Sequence, residues 1–266
     1  MYLEFYDLNT SPFNVTSNPD FFFESRSHQE ALSSLLFGIQ ERKGIILITG
    51  EVGTGKTTLC RALFNKLPAE VKISLILNPY FSEVQLLKAI AEDFGLKVRS
   101  TNRLDIVNTI NSFLINLNLN NGNAVLVIDE AQGLTSQQLE QIRLLSNLET
   151  AQEKLLQIVL VGQPELREKI SQYNLRQIYQ RIVVKYHLTP LFEHELKDYI
   201  DFRLKKAGQN NVVIILPEGY KMIYEFSKGI PRLINILCER ALILGFIRQE
   251  RVLTEEMFSR CIEEIK

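Results

Sequence analysis

The feature that most constrains this chain is Gly50-Glu51-Val52-Gly53-Thr54-Gly55-Lys56-Thr57, which fits the pattern G-x-x-x-x-G-K-[ST]. Gly44-Ile45-Ile46-Leu47-Ile48-Thr49 precedes it, a short apolar run rich in β-branched residues that predicts a buried strand. Leu59, Leu63 and Leu67 follow at helical spacing until Pro68 ends the pattern. Glycines between a strand and a helix let a loop curl until its N–H groups point inward at anionic oxygens. The helix adds its positive N-terminal end. A glycine-rich turn with an incidental lysine is the bland alternative, and the flanking strand and helix argue against it. The spacing therefore makes Gly50, Glu51, Val52, Gly53, Thr54, Gly55, Lys56, Thr57 and Thr58 candidate nucleotide-binding residues. Lys56 is expected on the β and γ phosphates, and the Thr57 hydroxyl on Mg²⁺.

Val125-Leu126-Val127-Ile128-Asp129-Glu130 is an apolar strand that ends in two carboxylates. Asp129 is expected to hold Mg²⁺ together with Thr57, and Glu130 to polarise the water that attacks the γ-phosphate. The H-R-D element of protein kinases is absent, and Asp93-Phe94-Gly95 stands without it, so hydrolysis is preferred to transfer onto an acceptor. ATP and Mg²⁺ are the implied cofactors.

Helix and strand patterns alternate over the first two-thirds of the chain. Strand patterns lie at 44–50, 71–77, 124–128, 155–161 and 183–187, and helical patterns at 25–41, 82–94, 102–120 and 136–148. Ser27 and Glu30 are spaced as a capping box, and Leu104, Val107, Ile110, Leu114 and Leu117 form one expected stripe. Alternation of this kind predicts an α/β protein with a parallel sheet flanked by helices. After Pro190 only helical patterns remain, at 193–206, 218–227, 232–248 and 255–265. We expect a nucleotide-binding core over 1–189, with residues 1–25 packed on it, and a small all-α lid over 190–266.

Thirty basic and thirty-one acidic residues give a net charge of −1, which excludes a strongly basic nucleic-acid coat protein. Cys60, Cys238 and Cys261 form no C-x-x-C pair, and His28, His187 and His194 lack metal-site spacing, so neither disulfides nor zinc are expected. No signal peptide and no apolar run near the roughly 20 residues of a membrane span is visible, which points to a cytoplasmic chain.

Seven segments together make the sequence resemble the AAA+ ATPases, in the bacterial group of secretion-pathway protein A and pilus ATPases. They are Phe5-Tyr6 with Ser11-Pro12-Phe13, Ser27-His28-Gln29-Glu30-Ala31-Leu32, the phosphate loop, Asp129-Glu130-Ala131-Gln132, Leu160-Val161-Gly162-Gln163-Pro164-Glu165-Leu166, Gln180-Arg181-Ile182 and Gly229-Ile230-Pro231-Arg232. The resemblance implies a P-loop NTPase fold with a helical lid. It also implies that Gln163 is a first nucleotide sensor and Arg232 a second one at the start of a lid helix. Arg176 or Arg181, with Arg181 preferred, would be the arginine finger supplied to a neighbouring subunit. The N-terminal aromatics Phe5, Tyr6, Phe13, Phe21, Phe22 and Phe23 are read as core in preference to an adenine pocket.

The implied partners are further copies of the chain, in a ring or filament, and a protein of a membrane-associated secretion, pilus or surface-polysaccharide export system. Recruitment to the inner face of the cytoplasmic membrane goes with that reading. Longer relatives continue into a membrane-spanning segment and a cell-wall-binding part, and neither is carried over to a chain ending at Lys266. Two alternatives stand beside it. One is a DNA-dependent ATPase resembling transposition target-selection proteins, for which Arg203, Lys205 and Lys206 on one lid helix would supply a basic patch. The other is a nucleotide-gated scaffold whose turnover is incidental.

Overall fold

The five apolar runs become five parallel strands. The computed structural model describes residues 1–16, 18–208 and 213–265, so residue 17 of the expected N-terminal segment and residues 209–212 and 266 of the expected lid lie outside the described residues. The strands of the main sheet are β1 (Ile45–Gly50), β2 (Val71–Ile76), β3 (Asn123–Ile128), β4 (Gln157–Gly162) and β5 (Ile182–Leu188), in the spatial order β2-β3-β4-β1-β5; a short parallel pair, Ile214–Ile215 with Val252–Leu253, lies among the helices that follow. Central strands of a parallel sheet are covered on both faces and need apolar side chains at every position. Accordingly β1 and β4 are buried throughout, and β3 from Ala124 onward, whereas the edge strand β5 alternates. Thr49 is in register with Gly162, and Ile128 with Leu160. Because the strands run the same way, the last residues of β1, β3 and β4 emerge at one edge of the sheet.

The chain divides into two compact units. The sheet unit comprises Glu30–Gly50 and Leu59–Leu188. Its core includes Ile45, Leu126, Ile128 and Leu160 from the strands and Leu86, Ile110, Leu114, Leu139 and Ile142 from the helices. Ser82 and Thr135 open the helices Glu83–Asp93 and Ser136–Leu145 with capping boxes completed by Gln85 and Gln138. The helix Arg103–Leu119 buries Ile106, Ile110 and Leu114. Leu104, expected on that stripe, is 65% exposed, because the inward face follows Ile106 through the i, i+4, i+8 row.

The helical unit comprises Met1–Gln29, Glu51–Thr58 and Thr189–Lys266. Its helices Glu193–Lys206, Pro217–Ser227, Pro231–Arg248 and Glu255–Ile265 enclose Leu196, Ile200, Ile223, Leu237, Leu242, Met257 and Phe258. Residues 1–25 were expected on the α/β core, yet Tyr6, Leu8 and Phe13 are buried in this helical cluster. The Tyr6 hydroxyl reaches the Leu242 and Glu250 carbonyls at 3.1 and 3.2 Å, and Ser11 donates to Glu239 at 3.1 Å. Arg203 donates to the carbonyls of Pro12 and Asn14 at 2.6 and 3.1 Å and is 7% exposed. A guanidinium spent on backbone carbonyls in the interior cannot contribute to a basic surface patch, which corrects the grouping of Arg203 with Lys205 and Lys206.

The helix Arg26–Gln40 also begins differently from the expected box. Ser25 supplies the hydroxyl that accepts the His28 N–H at 3.4 Å, while the Ser27 hydroxyl accepts the Thr189 N–H at 3.0 Å. Among the described residues no helix is long and apolar enough to cross a membrane.

Candidate active site

The phosphate loop belongs to the helical unit, where it curls around its own lysine. Gly53 and Gly55 take φ of +86° and +97°, the left-handed region that side chains resist. Lys56 is 6% exposed and its ammonium donates to the Glu51 carbonyl at 2.9 Å, while the Thr54 hydroxyl donates to the same carbonyl at 2.9 Å. The helix Lys56–Lys66 starts at the lysine itself, so the first-turn N–H groups, which have no carbonyl partner within the helix, belong to the loop's end. Thr57 and Thr58 are half-buried, and Glu51 and Val52 are exposed. A curl of left-handed glycines, a buried ammonium and a helix N-terminus fits a polyphosphate.

Two neighbours hold this curl. Arg232, the second residue of the helix Pro231–Arg248, donates its backbone N–H to the Gly53 carbonyl at 3.2 Å. A Cβ on Gly53 would stand 2.6 Å from the Cβ of Arg232, so the approach requires glycine. His28 meets the Thr54 carbonyl through Nε2 at 3.1 Å and the Ser25 hydroxyl through Nδ1 at 2.7 Å. A carbonyl only accepts, so Nε2 carries the proton and Nδ1 accepts from Ser25. Burial holds the His28 pKa down to about 4, against smaller opposing pulls from the Thr54 carbonyl and the Glu195 carboxylate. The ring is therefore neutral at physiological pH.

In the sheet unit the edge where β1 ends at Gly50 also receives the residues that follow β3 and β4. Asp129 is 3% exposed, donates its N–H to the Ile76 carbonyl at 2.8 Å, and accepts the Glu130 N–H on Oδ1 at 2.9 Å. Glu130 sits at φ +52°, ψ +35°, a conformation that costs a non-glycine residue about 1 kcal/mol or more. Gln163 precedes the helix Pro164–Ile170 without capping it through its side chain. Instead its Nε2 donates to Glu130 Oε2 at 3.3 Å. The structure thus gathers Asp129, Glu130 and Gln163 in one unit, and the phosphate loop with Arg232 in the other.

Arg181 lies at the opposite edge. It immediately precedes β5, whose first residue Ile182 is in register with Ile45 at the start of β1. β5 has seven residues, so its ends are roughly 20 Å apart. Arg181 adds a smaller pull to the lowered pKa values of Glu140 and Glu149, behind the hydrogen bonds from Arg143 and Lys154 that lead them. Arg176, one short helix earlier, is exposed and stacks its guanidinium 4.5 Å from the Tyr173 ring. Sequence reading placed His28 only as a cap or packing residue near the first helix and gave Gln132 no role, although both fall within segments that carry the family resemblance.

A family model described as an AAA domain matches residues 39–170. Over 249 residues, 93% of this chain, the sequence is 45% identical to General secretion pathway protein A of Aeromonas hydrophila; the chain spans 45% of the length of that relative. Among solved structures, Cdc6p from Pyrobaculum aerophilum is similar with a TM-score of 0.69 at 15% identity, covering 92% of this chain and 70% of that one. The ADPNP–ADP complexes of the Aeropyrum pernix ORC2 protein give 0.64 at 20% identity, covering 90% and 67%. The Thermotoga maritima RuvB Holliday junction branch migration motor gives 0.59 at 19%, covering 89% and 67%. At such identities these three carry the fold alone. Taken with the strand order, the glycine loop after β1 and the acidic end of β3, the matches show that residues 39–170 carry an AAA domain with the fold of P-loop nucleotide-binding proteins.

Proposed function

We propose that this protein binds ATP with Mg²⁺ and hydrolyses it to power or regulate assembly of a secretion, pilus or surface-polysaccharide export system. The observation that carries the hydrolytic reading is the single sheet edge at which β1, β3 and β4 deliver Gly50, Asp129-Glu130 and Gln163. Lys56 and the N–H groups of residues 51–58 would hold the phosphates. The Thr57 hydroxyl and Asp129 carboxylate are hard oxygen donors suited to Mg²⁺, which would neutralise charge on the phosphates. Glu130 takes a proton as water adds to the γ-phosphorus; the bond to the β–γ bridging oxygen breaks, and ADP and phosphate leave. Gln163 and Arg232 would report the γ-phosphate.

The place of Arg181 supports an assembled enzyme. At the opposite edge of its own sheet from the carboxylates, it serves a neighbour's nucleotide and not its own. Head-to-tail contacts then generate a ring or a filament. The likeness to General secretion pathway protein A supports a partner in a secretion system and a cytoplasmic chain recruited to the inner membrane face.

Hydrolysis and equilibrium binding of a fluorescent ATP analogue test the reading. Glu130→Gln should bind nucleotide within about threefold of wild type and lose at least ~100-fold in turnover, because only the water-activating group is removed. Lys56→Ala should weaken binding by at least ~10-fold through the lost charge-assisted contact. Wild-type turnover in Glu130→Gln would remove Glu130 from the reaction. Turnover that rises on adding duplex DNA, and loses that rise steeply with salt, would favour the DNA-dependent alternative.

A further inference from the structure

Glu130 is exposed and long, and an unrestrained carboxylate at the end of three rotatable bonds is a poorly aimed base. Its surroundings supply the restraint. Ala131–Gly133 form a single 3₁₀ turn directly after Glu130, and this turn brings the Gln132 carboxamide back over the carboxylate. Gln132 Nε2 donates to Glu130 Oε2. Its Oε1 accepts the backbone N–H of Gln163 at 3.1 Å, at the end of β4. One amide therefore ties the carboxylate that follows β3 to the backbone that follows β4.

The fit around this amide is close. A Cβ on Gly162 would stand 2.7 Å from Gln132 Oε1, so the carboxamide occupies room that only glycine leaves. The turn is fixed from below by Lys169, whose ammonium donates to the carbonyls of Gln132 at 2.9 Å and Leu134 at 2.6 Å. Gln163 Nε2 approaches the same Glu130 Oε2 at 3.3 Å. Both amides thus act on one carboxylate oxygen, and Oε1 is the oxygen that remains to meet a water.

We propose that Gln132 is a positioning residue for hydrolysis, whose carboxamide clamps Glu130 Oε2 to the end of β4 and so aims Oε1 at the attacking water. This rests on the reading of Glu130 as the water-activating group. Gln132 touches neither nucleotide nor metal in that scheme and acts only through Glu130. The donor half of its amide does the aiming, while the acceptor half secures the amide to β4.

That division makes the isostere Gln132→Glu informative. It keeps the length and an acceptor for the Gln163 N–H but cannot donate to Glu130. Steady-state kinetics and equilibrium binding of a fluorescent ATP analogue should show Gln132→Glu and Gln132→Ala both losing about 10- to 100-fold in kcat. KM and nucleotide affinity should stay within about twofold of wild type. In the Glu130→Gln background Gln132→Glu, which keeps the bond from the Gln163 N–H, should leave the residual rate unchanged, since the donor half of the amide has nothing left to position. Wild-type kcat in Gln132→Glu would overturn the proposal, and so would a parallel loss of kcat and affinity in both variants. Full hydrolysis by Glu130→Gln is a different failure: it would sink the reading of Glu130, whatever Gln132 does.

Discussion

His28 carries a cost that acid exposes. Its pKa is about 4 in the fold, against an ordinary value near 6.5, because the ring is buried between Ser25, Thr54 and Phe22. Between these values the unfolded chain binds a proton that the folded chain refuses, so stability falls as pH drops from about 6.5 towards 4. One proton gives a slope of about 1.4 kcal/mol per pH unit and a total of roughly 3 kcal/mol over the window. Urea unfolding of wild type and His28→Gln at pH 7.0, 5.5 and 4.5 isolates this group from the carboxylates common to both. The wild type should lose about 2–3 kcal/mol more than the variant; equal losses would mean that His28 is not held neutral. The glycine curl around Lys56 and the apolar strand that ends at Asp129-Glu130 were legible from residue type and spacing. His28 and Gln132 were not, since a histidine three residues after a serine, or a glutamine after D-E-A, acquires meaning only when the fold brings Thr54 or Gln163 to it.

Elements were read well where burial is extreme. β1, β3 and β4 are covered on both faces, so their sequences are unbroken apolar runs that a helix of that length would not need. The helix Arg103–Leu119 was placed correctly but its face was turned: the sequence offers Leu104 and Ile106 equally, and only packing chooses Ile106. Ends of elements depend on partners, as the Ser27 hydroxyl shows by bonding to Thr189 instead of capping its own helix. The junction of the phosphate loop with the helix Pro231–Arg248 gives a prediction at this scale. Gly53→Ala places a methyl 2.6 Å from the Arg232 Cβ and forces φ +86° on a residue that disfavours it. Affinity for the fluorescent ATP analogue should fall by at least ~10-fold, with a loss of about 1–3 kcal/mol in urea unfolding. Unchanged affinity would show that the loop does not need this geometry to receive phosphate.

Over the whole molecule, alternation of strands and helices followed by helices alone announced an α/β sheet and a helical region. Where residues 1–25 belong was not legible, because an aromatic-rich segment fits either interior; the pocket between helices took Tyr6 and Phe13, and Arg203 anchored the backbone on either side of Phe13. We propose that hydrolysis needs two subunits, one giving Glu130 and the next giving Arg181 from the far edge of its sheet. A finger of this kind contributes about 10³–10⁵ to phosphoryl transfer, so dilute protein should be sluggish and its specific activity should rise with assembly. The most direct measurement mixes Arg181→Ala, which keeps Glu130, with Glu130→Gln, which keeps Arg181, and follows phosphate release at assembling concentrations. Each variant alone should be nearly inactive, and an equal mixture should regain about a quarter of the wild-type rate, from the interfaces that combine the two intact halves. Arg181→Ala and Arg176→Ala that each hydrolyse ATP like wild type at every concentration, with no gain on mixing, would contradict the shared site and make the single chain the catalytic unit.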